Sequence, residues 1–181
     1  TITYTYTDQA GNKADPVTRS VIVKDLTKPT INLKGENPLI LGINEDYVEP
    51  GATYSDNVDG NGNLSNSDIS GTVNTTSANT YTITYTYTDQ AGNKADPVTR
   101  SVIVKDLTKP TINLKGENPL ILGINEDYVE PGATYSDNVD GSGNLSNSDI
   151  SGIVNTTTEN TYTITYTYTD QAGNKADPVT R

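Results

Sequence analysis

The sequence contains no cysteine, histidine, methionine, tryptophan or phenylalanine, and tyrosine is its only aromatic residue. Without cysteine or histidine, the chain has no ligands for a soft-metal site, no thiol nucleophile and no histidine-based catalytic triad. The absence of cysteine also excludes disulfides, although it does not by itself identify the compartment. The side chains that remain for chemistry are carboxylates, amides and hydroxyls.

Long apolar runs and excess positive charge are missing as well. No apolar run approaches the roughly 18–20 residues that cross a bilayer, and no signal-peptide pattern is present. The formal net charge is −11 at pH 7. An acidic surface disfavours nucleic acid and anionic membranes as partners and favours cations.

An 81-residue repeat organises the chain. The phrase TITYTYTDQAGNKADPVTR occupies residues 1–19 and recurs at 82–100 and 163–181. Residues 20–100 and 101–181 differ at four positions and agree at the other 77 of 81. Such near-identity indicates tandem duplication, and because terminal repeats are usually atypical, both copies resemble interior members of an array. We therefore expect the chain to be a segment of something longer.

The repeat is patterned as β-structure throughout. In residues 81–88, Tyr or Ile alternates with Thr, which predicts a strand, and a second alternating strand is predicted at 98–104 after the turn DQAGNKADP. Shorter strands are expected at 29–33, 38–43, 52–56 and 68–73. No segment of ten residues shows a helical apolar period. The sequence therefore predicts an all-β fold of tandem antiparallel β-sandwich modules.

The alternation also predicts which side chains form the core. Thr84 should face outward. The predicted core residues of one module are Ile31, Leu33, Leu39, Ile40, Val48, Ile69, Ile83, Tyr85, Val102 and Val104.

Module boundaries are predicted at the linker VKDLTKP. Residues 1–25 would be the last hairpin of a preceding module, 26–106 a complete module, and 107–181 a module that lacks its last strand, SVIVKD. An unfinished sandwich exposes a sheet edge, which must be covered. Two possibilities remain open: the chain continues covalently, or residues 1–25 of a neighbouring copy complete 107–181 head to tail.

Four segments, KPTINLKG, YVEPGATYSDNVDG, YTITYTYTDQAGNKA and VIVKD, are distributed from the start to the end of the period. In this combination the sequence resembles the immunoglobulin-like repeat of bacterial surface proteins. The resemblance implies Ig-like sandwiches in the stalk of a large adhesin or extracellular fibre at the bacterial surface. It also implies Ca²⁺ at module junctions, as in several relatives of this kind.

Acidic stretches independently offer oxygen ligands of the type that Ca²⁺ prefers. They are SDNVDGNGN, TDQAGNKAD and the linker aspartate, although the same residues also build ordinary turns. In the fold that the resemblance implies, the second stretch and the linker share a pole of the module, whereas the pole of the first stretch stays open. The predicted calcium ligands are Asp56, Asp59, Asp89, Asp106, Asp137, Asp140 and Asp170.

Two functions of different classes agree with these observations. One is a structural spacer in a stalk, adhesin shaft or filament, with neighbouring copies of the repeat as partners. The other is a module that binds carbohydrate or protein through its loops. The spacer is favoured because the loops are as uniform as the strands. We predict no enzymatic activity, since near-identical repeats would duplicate any catalytic site.

Overall fold

A computed structural model describes all residues 1–181 and contains only β-strands and two short 3₁₀ turns. The strands of the first 105 residues are β1 (Ile2–Tyr4), β2 (Val17–Arg19), β3 (Thr30–Leu33), β4 (Leu39–Gly42), β5 (Ala52–Asp56), β6 (Gly60–Asn63), β7 (Ile69–Ser70), β8 (Asn79–Tyr85) and β9 (Val98–Lys105). Those that follow are β10 (Thr111–Leu114), β11 (Ala133–Asp137), β12 (Gly141–Asn144), β13 (Ile150–Ser151), β14 (Thr165–Tyr166) and β15 (Val179–Thr180). The 3₁₀ turns are Asn66–Asp68 and Asn147–Asp149. The all-β prediction is confirmed.

Two compact units divide the chain. The first comprises residues 1–36, 50–70 and 83–99, and the second comprises 37–49, 71–82 and 100–181.

The first unit is built from antiparallel pairs. β1 and β2 form a two-stranded hairpin whose residues are all exposed. β5 lies between β3 and β6 in a three-stranded sheet, and β7 pairs with the end of β8. Strand β8 ends at Tyr85, before the predicted end at residue 88. Residues 86–95 instead form a turn that is closed by an isolated β-bridge between Thr88 and Lys94.

The second unit contains one parallel pair. Leu39–Gly42 runs parallel to residues 102–105, whereas all the other strand pairs whose register is described are antiparallel, as predicted. More than fifty residues separate the two strands along the chain, which is ample for the crossover that a parallel pair requires. β10–β11–β12 and β13–β14–β15 are antiparallel three-stranded sheets.

The core follows the predicted alternation along β8 and β9. Ile83, Tyr85, Val102 and Val104 are buried, and Thr84 is half-buried. For the other predicted core residues, the prediction is partly wrong. Ile40 is 48% exposed, because adjacent residues of a strand face opposite sides and its neighbour Leu41 takes the buried place. Val48 is 76% exposed and lies outside any strand. Predicted core residues that are only partly buried are Ile31, Leu33, Leu39 and Ile69.

In the second repeat, the core is a cluster of Ala133, Ile164 and Tyr166. Against it pack the partly buried side chains of Ile112, Leu114, Tyr128, Leu145, Ile150 and Val154. At its margin, the Glu130 carboxylate accepts hydrogen bonds from the hydroxyls of Tyr128 and Tyr166, the latter at 2.6 Å. Burial raises the pKa of Glu130, but these hydrogen bonds, the Gly132 N–H and the Arg181 charge together outweigh burial, and the net shift is downward.

Strand β4 has no counterpart in the second repeat, where residues 120–123 form no strand. In the first repeat, β4 pairs with residues 102–105. A groove of about 420 Å³ in the second repeat is lined by Leu120, Leu122, Val154 and Ile164 among others.

Raising the pH from about 10 to about 12 is expected to destabilise the protein. Hydrogen bonding with Tyr54 raises the pKa of Tyr87 to about 12, and burial together with donation to Glu130 does the same for Tyr128. The pKa of Tyr166 is also raised. Because the folded state favours the neutral hydroxyls, their stabilisation is complete below pH 10 and is lost as the pH rises through 12. Absorbance at 295 nm should show late-titrating tyrosines in the folded chain that disappear in urea. A single titration, identical with and without urea, would contradict this.

Candidate metal centre

Three carboxylates converge where the entering linker meets two loops of the first unit. Asp25 belongs to the linker, Asp56 ends β5, and Asp89 opens the turn after β8. One carboxylate oxygen from each lies within 4.8 Å of the oxygens of the other two. The three residues are far apart in sequence, so only the fold brings them together.

The second unit contains the same arrangement one repeat later. Asp106, Asp137 and Asp170 also place one oxygen each within 4.8 Å of one another. Asp106 and Asp170 are buried, and Asp137 is half-buried. We call the two sets the first and second triads.

In each triad, two of the carboxylates use only one oxygen in hydrogen bonds. Oδ1 of Asp25 accepts the Thr27 N–H at 3.0 Å, and Oδ1 of Asp56 accepts the N–H groups of Val58 and Asp59 at 2.8 Å. The donation from Asp59, and then that from Val58, lowers the pKa of Asp56. Oδ2 of both residues is buried and has no hydrogen-bond partner.

The third carboxylate of each triad is oriented by an asparagine. Asn93 donates its backbone N–H to Oδ1 of Asp89 and its side-chain amide to Oδ2, both at 2.7 Å. The same amide donates to the backbone carbonyl of Asp25 at 3.3 Å, which holds the linker against the turn. In the second triad, Asn174 makes the corresponding contacts with Asp170 and Asp106.

The triads concentrate negative charge. None of the four salt bridges of the structure involves a triad carboxylate. Two like unit charges 4 Å apart repel by about 4 kcal/mol at an effective dielectric constant of 20. A bound cation would turn this repulsion into attraction, and carboxylate oxygens are the ligands of hard divalent cations.

Five of the seven predicted ligands lie in the triads. The prediction associated linker Asp106 with the turn of Asp89, whereas the structure places Asp106 with Asp137 and Asp170 of the following repeat. Linker Asp25, which was not predicted, completes the first triad. The repeat could have identified Asp25 as a ligand, because Asp25 is the equivalent of Asp106 one period earlier.

The other two predicted ligands, Asp59 and Asp140, lie outside the triads. Oδ2 of Asp59 accepts the backbone N–H of Gln90 at 2.8 Å, and Asp140 does the same for Gln171. These hydrogen bonds fix the position of the turn that contains Asp89 in the first repeat and Asp170 in the second.

The family of the chain is evident from its sequence. The profile of the bacterial surface protein Ig-like domain matches residues 31–104 and 112–181. The chain belongs to this family. The predicted family and its Ig-like fold are therefore confirmed, with two adjacent repeats of that domain.

Two further proteins are similar to the chain. Hyalin from Strongylocentrotus purpuratus is 32% identical over 202 residues, a region that includes 98% of this chain and 15% of hyalin. The crystal structure of a lipoprotein from Bacteroides thetaiotaomicron is 19% identical with a TM-score of 0.37, covering 77% of this chain and 92% of the lipoprotein. Within the structure, no helix has the length and apolarity needed to cross a membrane.

Proposed function

We propose that this chain is a piece of an extracellular stalk, adhesin shaft or filament at the bacterial surface, in which Ig-like modules serve as spacers without enzymatic activity. The observation that carries the proposal is the uniformity of the two repeats, which agree at 77 of 81 positions in loops and strands alike. A recognition array usually diversifies its loops, whereas a spacer needs only repeated folding units.

The positions that do differ support the same function. They are Asn61 and Ser142, Thr72 and Ile153, Ser77 and Thr158, and Ala78 and Glu159. All eight side chains are exposed. The loop contacts of Asp56 and Asp59 recur unchanged at Asp137 and Asp140. Variation is thus confined to places where it costs the fold little.

The family supports a surface location, since its description is that of a bacterial surface protein. The chain spans 15% of the length of hyalin.

Neighbouring repeats are the partners that we propose. In the first repeat, residues 101–106 have the sequence SVIVKD and include the part of β9 that pairs with β4. Residues 20–25 carry the same sequence, and their apolar members Val21, Ile22 and Val23 are exposed. Residues 120–123, which line the groove of the second repeat, form no strand. A strand of this sequence, from the continuing chain or from a second copy, would complete the module 107–181. The array would then extend head to tail, with 26–106 as a complete module and 1–25 as the last hairpin of the module before it.

Chains of two, four and six repeats test the spacer function. Their maximum dimension in small-angle scattering is expected to grow in proportion to repeat number, and none should bind a glycan array. The 181-residue chain should also form larger species as its concentration rises. Reproducible binding of one repeat to a defined glycan would instead support the loop-binding function, and a maximum dimension independent of repeat number would exclude a stalk.

A further inference from the structure

The geometry points to a Ca²⁺ site at each triad, one formed by Asp25, Asp56 and Asp89 and one by Asp106, Asp137 and Asp170. The inference concerns the two triads alone and holds whether or not the chain serves as a spacer.

An unpartnered buried oxygen separates the triads from ordinary acidic turns. Asp106 is 7% exposed, its Oδ1 accepts the Thr108 N–H at 3.0 Å, and its Oδ2 has no hydrogen-bond partner. Oδ2 of Asp137, in the same triad, is likewise buried and without a partner. Burying carboxylate oxygens without a donor or a counter-charge is costly. A cation between them removes that cost.

The first triad has the same pattern of unpartnered oxygens. Oδ2 of Asp25 and Oδ2 of Asp56 are the equivalent atoms, and both are buried without a partner. The chain also provides an internal comparison. Asp8, in the exposed hairpin, forms the same turn with Asn12 as Asp89 forms with Asn93, but Asp8 is exposed and belongs to no cluster of three carboxylates. Every buried carboxylate oxygen without a hydrogen-bond partner belongs to a triad.

Ligand chemistry selects Ca²⁺ among common cations. All three ligands are carboxylates, and no cysteine or histidine exists that would favour zinc or copper. Because Ca–O distances are about 2.3–2.6 Å, two oxygens on opposite sides of one Ca²⁺ lie about 5 Å apart. The separation of at most 4.8 Å in each triad falls within this limit. Ca²⁺ takes six to eight oxygens, and water or backbone carbonyls would supply the remainder.

Binding would attach the linker to the module that it enters. Asp25 and Asp106 are linker residues, whereas their partners in each triad come from the loop after β5 or β11 and from the turn at Asp89 or Asp170. The side-chain amide of Asn93 or Asn174 already donates a hydrogen bond to the linker carbonyl. A shared ion would be a second connection between the linker and the module.

Calorimetric titration of the 181-residue chain with CaCl₂ is expected to show two ions per chain. Terbium offers a second readout, because tyrosine is the only aromatic residue and the stacked pair Tyr54–Tyr87 lies two residues from both Asp56 and Asp89. Tb³⁺ emission excited through tyrosine should rise on binding and fall when Ca²⁺ is added. Melting temperature should be higher in Ca²⁺ than in EDTA.

Asparagine variants locate the sites. Asp106→Asn keeps an oxygen to accept the Thr108 N–H but loses the unpartnered carboxylate oxygen, so we expect one ion per chain. The double variant Asp25→Asn, Asp106→Asn should bind none while melting in EDTA at or above the temperature of the parent, because charge repulsion is reduced. Asp8→Asn and the exposed Asp127→Asn serve as controls and should retain two ions.

Three results would overturn the inference. They are no calorimetric signal and no Ca²⁺-dependent melting shift for the parent, two ions still bound by the double variant, or Mg²⁺ displacing Tb³⁺ as effectively as Ca²⁺ does.

Discussion

Tyr166→Ala is expected to destabilise the second repeat by about 3–5 kcal/mol, the range for removing a large aromatic side chain from a core. Tyr166 is 0% exposed and packs in the cluster with Ala133 and Ile164. Its hydroxyl also donates to Glu130 at 2.6 Å, so the variant loses a charged hydrogen bond in addition to apolar contacts. Since small domains are stable by about 5–15 kcal/mol, the loss is a large fraction of the total.

The repeat supplies a matched control for this variant. Tyr4 occupies the same position of the phrase in the exposed hairpin and is 48% exposed. Tyr4→Ala should change the unfolding free energy by no more than about 0.5 kcal/mol. Guanidinium unfolding measures the free energy of unfolding of both variants. Hydrogen exchange of the amides of β10 to β14 then shows whether the loss is in the second repeat. Similar effects at the two positions would show that Tyr166 does not contribute to a core.

Glu49→Gln is expected to cost about 3 kcal/mol, because it removes the counter-charge of a buried arginine. The Arg100 side chain is 0% exposed, and its Nε lies 4.0 Å from Oε1 of Glu49, whose side chain is 25% exposed. Partial exposure of the glutamate places the expected loss at the lower end of the range for broken buried pairs. In the second repeat, Arg181 and Glu130 form the same pair at 3.4 Å.

A double-mutant cycle tests the pairing directly. Arg100→Met together with Glu49→Gln should be less destabilised than the sum of the single variants, because neither a charged guanidinium nor its carboxylate is then left in the core. Arg19→Met is the control, since Arg19 holds the same place in the exposed hairpin. Strict additivity in chemical unfolding would mean that Arg100 and Glu49 do not interact.

The triads and the arginine–glutamate pairs occupy different places in the repeat. The buried Arg100 side chain belongs to β9, whereas the triads lie where the linker enters. Removal of the calcium ions that we propose at the triads is therefore expected to affect the linker and its two loops before it affects the core.

Much of the fold was predictable because its signals are local. Alternation of apolar and polar residues determines which face of a strand is buried, and it correctly placed Ile83, Tyr85, Val102 and Val104 inside. The repeat of 81 residues and the family motifs likewise depend on nothing beyond the order of residues. The kind of ligand at the candidate site also follows from the sequence alone, because a chain without cysteine or histidine can offer a cation only oxygen ligands.

Tertiary structure alone decided which distant residues meet. Ile40 and Leu41 are both apolar, so the parallel pairing of β4 with β9 had to determine that Leu41 is the buried one. The three carboxylates of a triad come from segments about 30 residues apart, and no local pattern shows that Asp106 joins Asp137 and Asp170 rather than Asp89. Which carboxylate oxygens lack a partner is decided in the same way, because burial and hydrogen bonding depend on the packing of loops that the sequence keeps far apart.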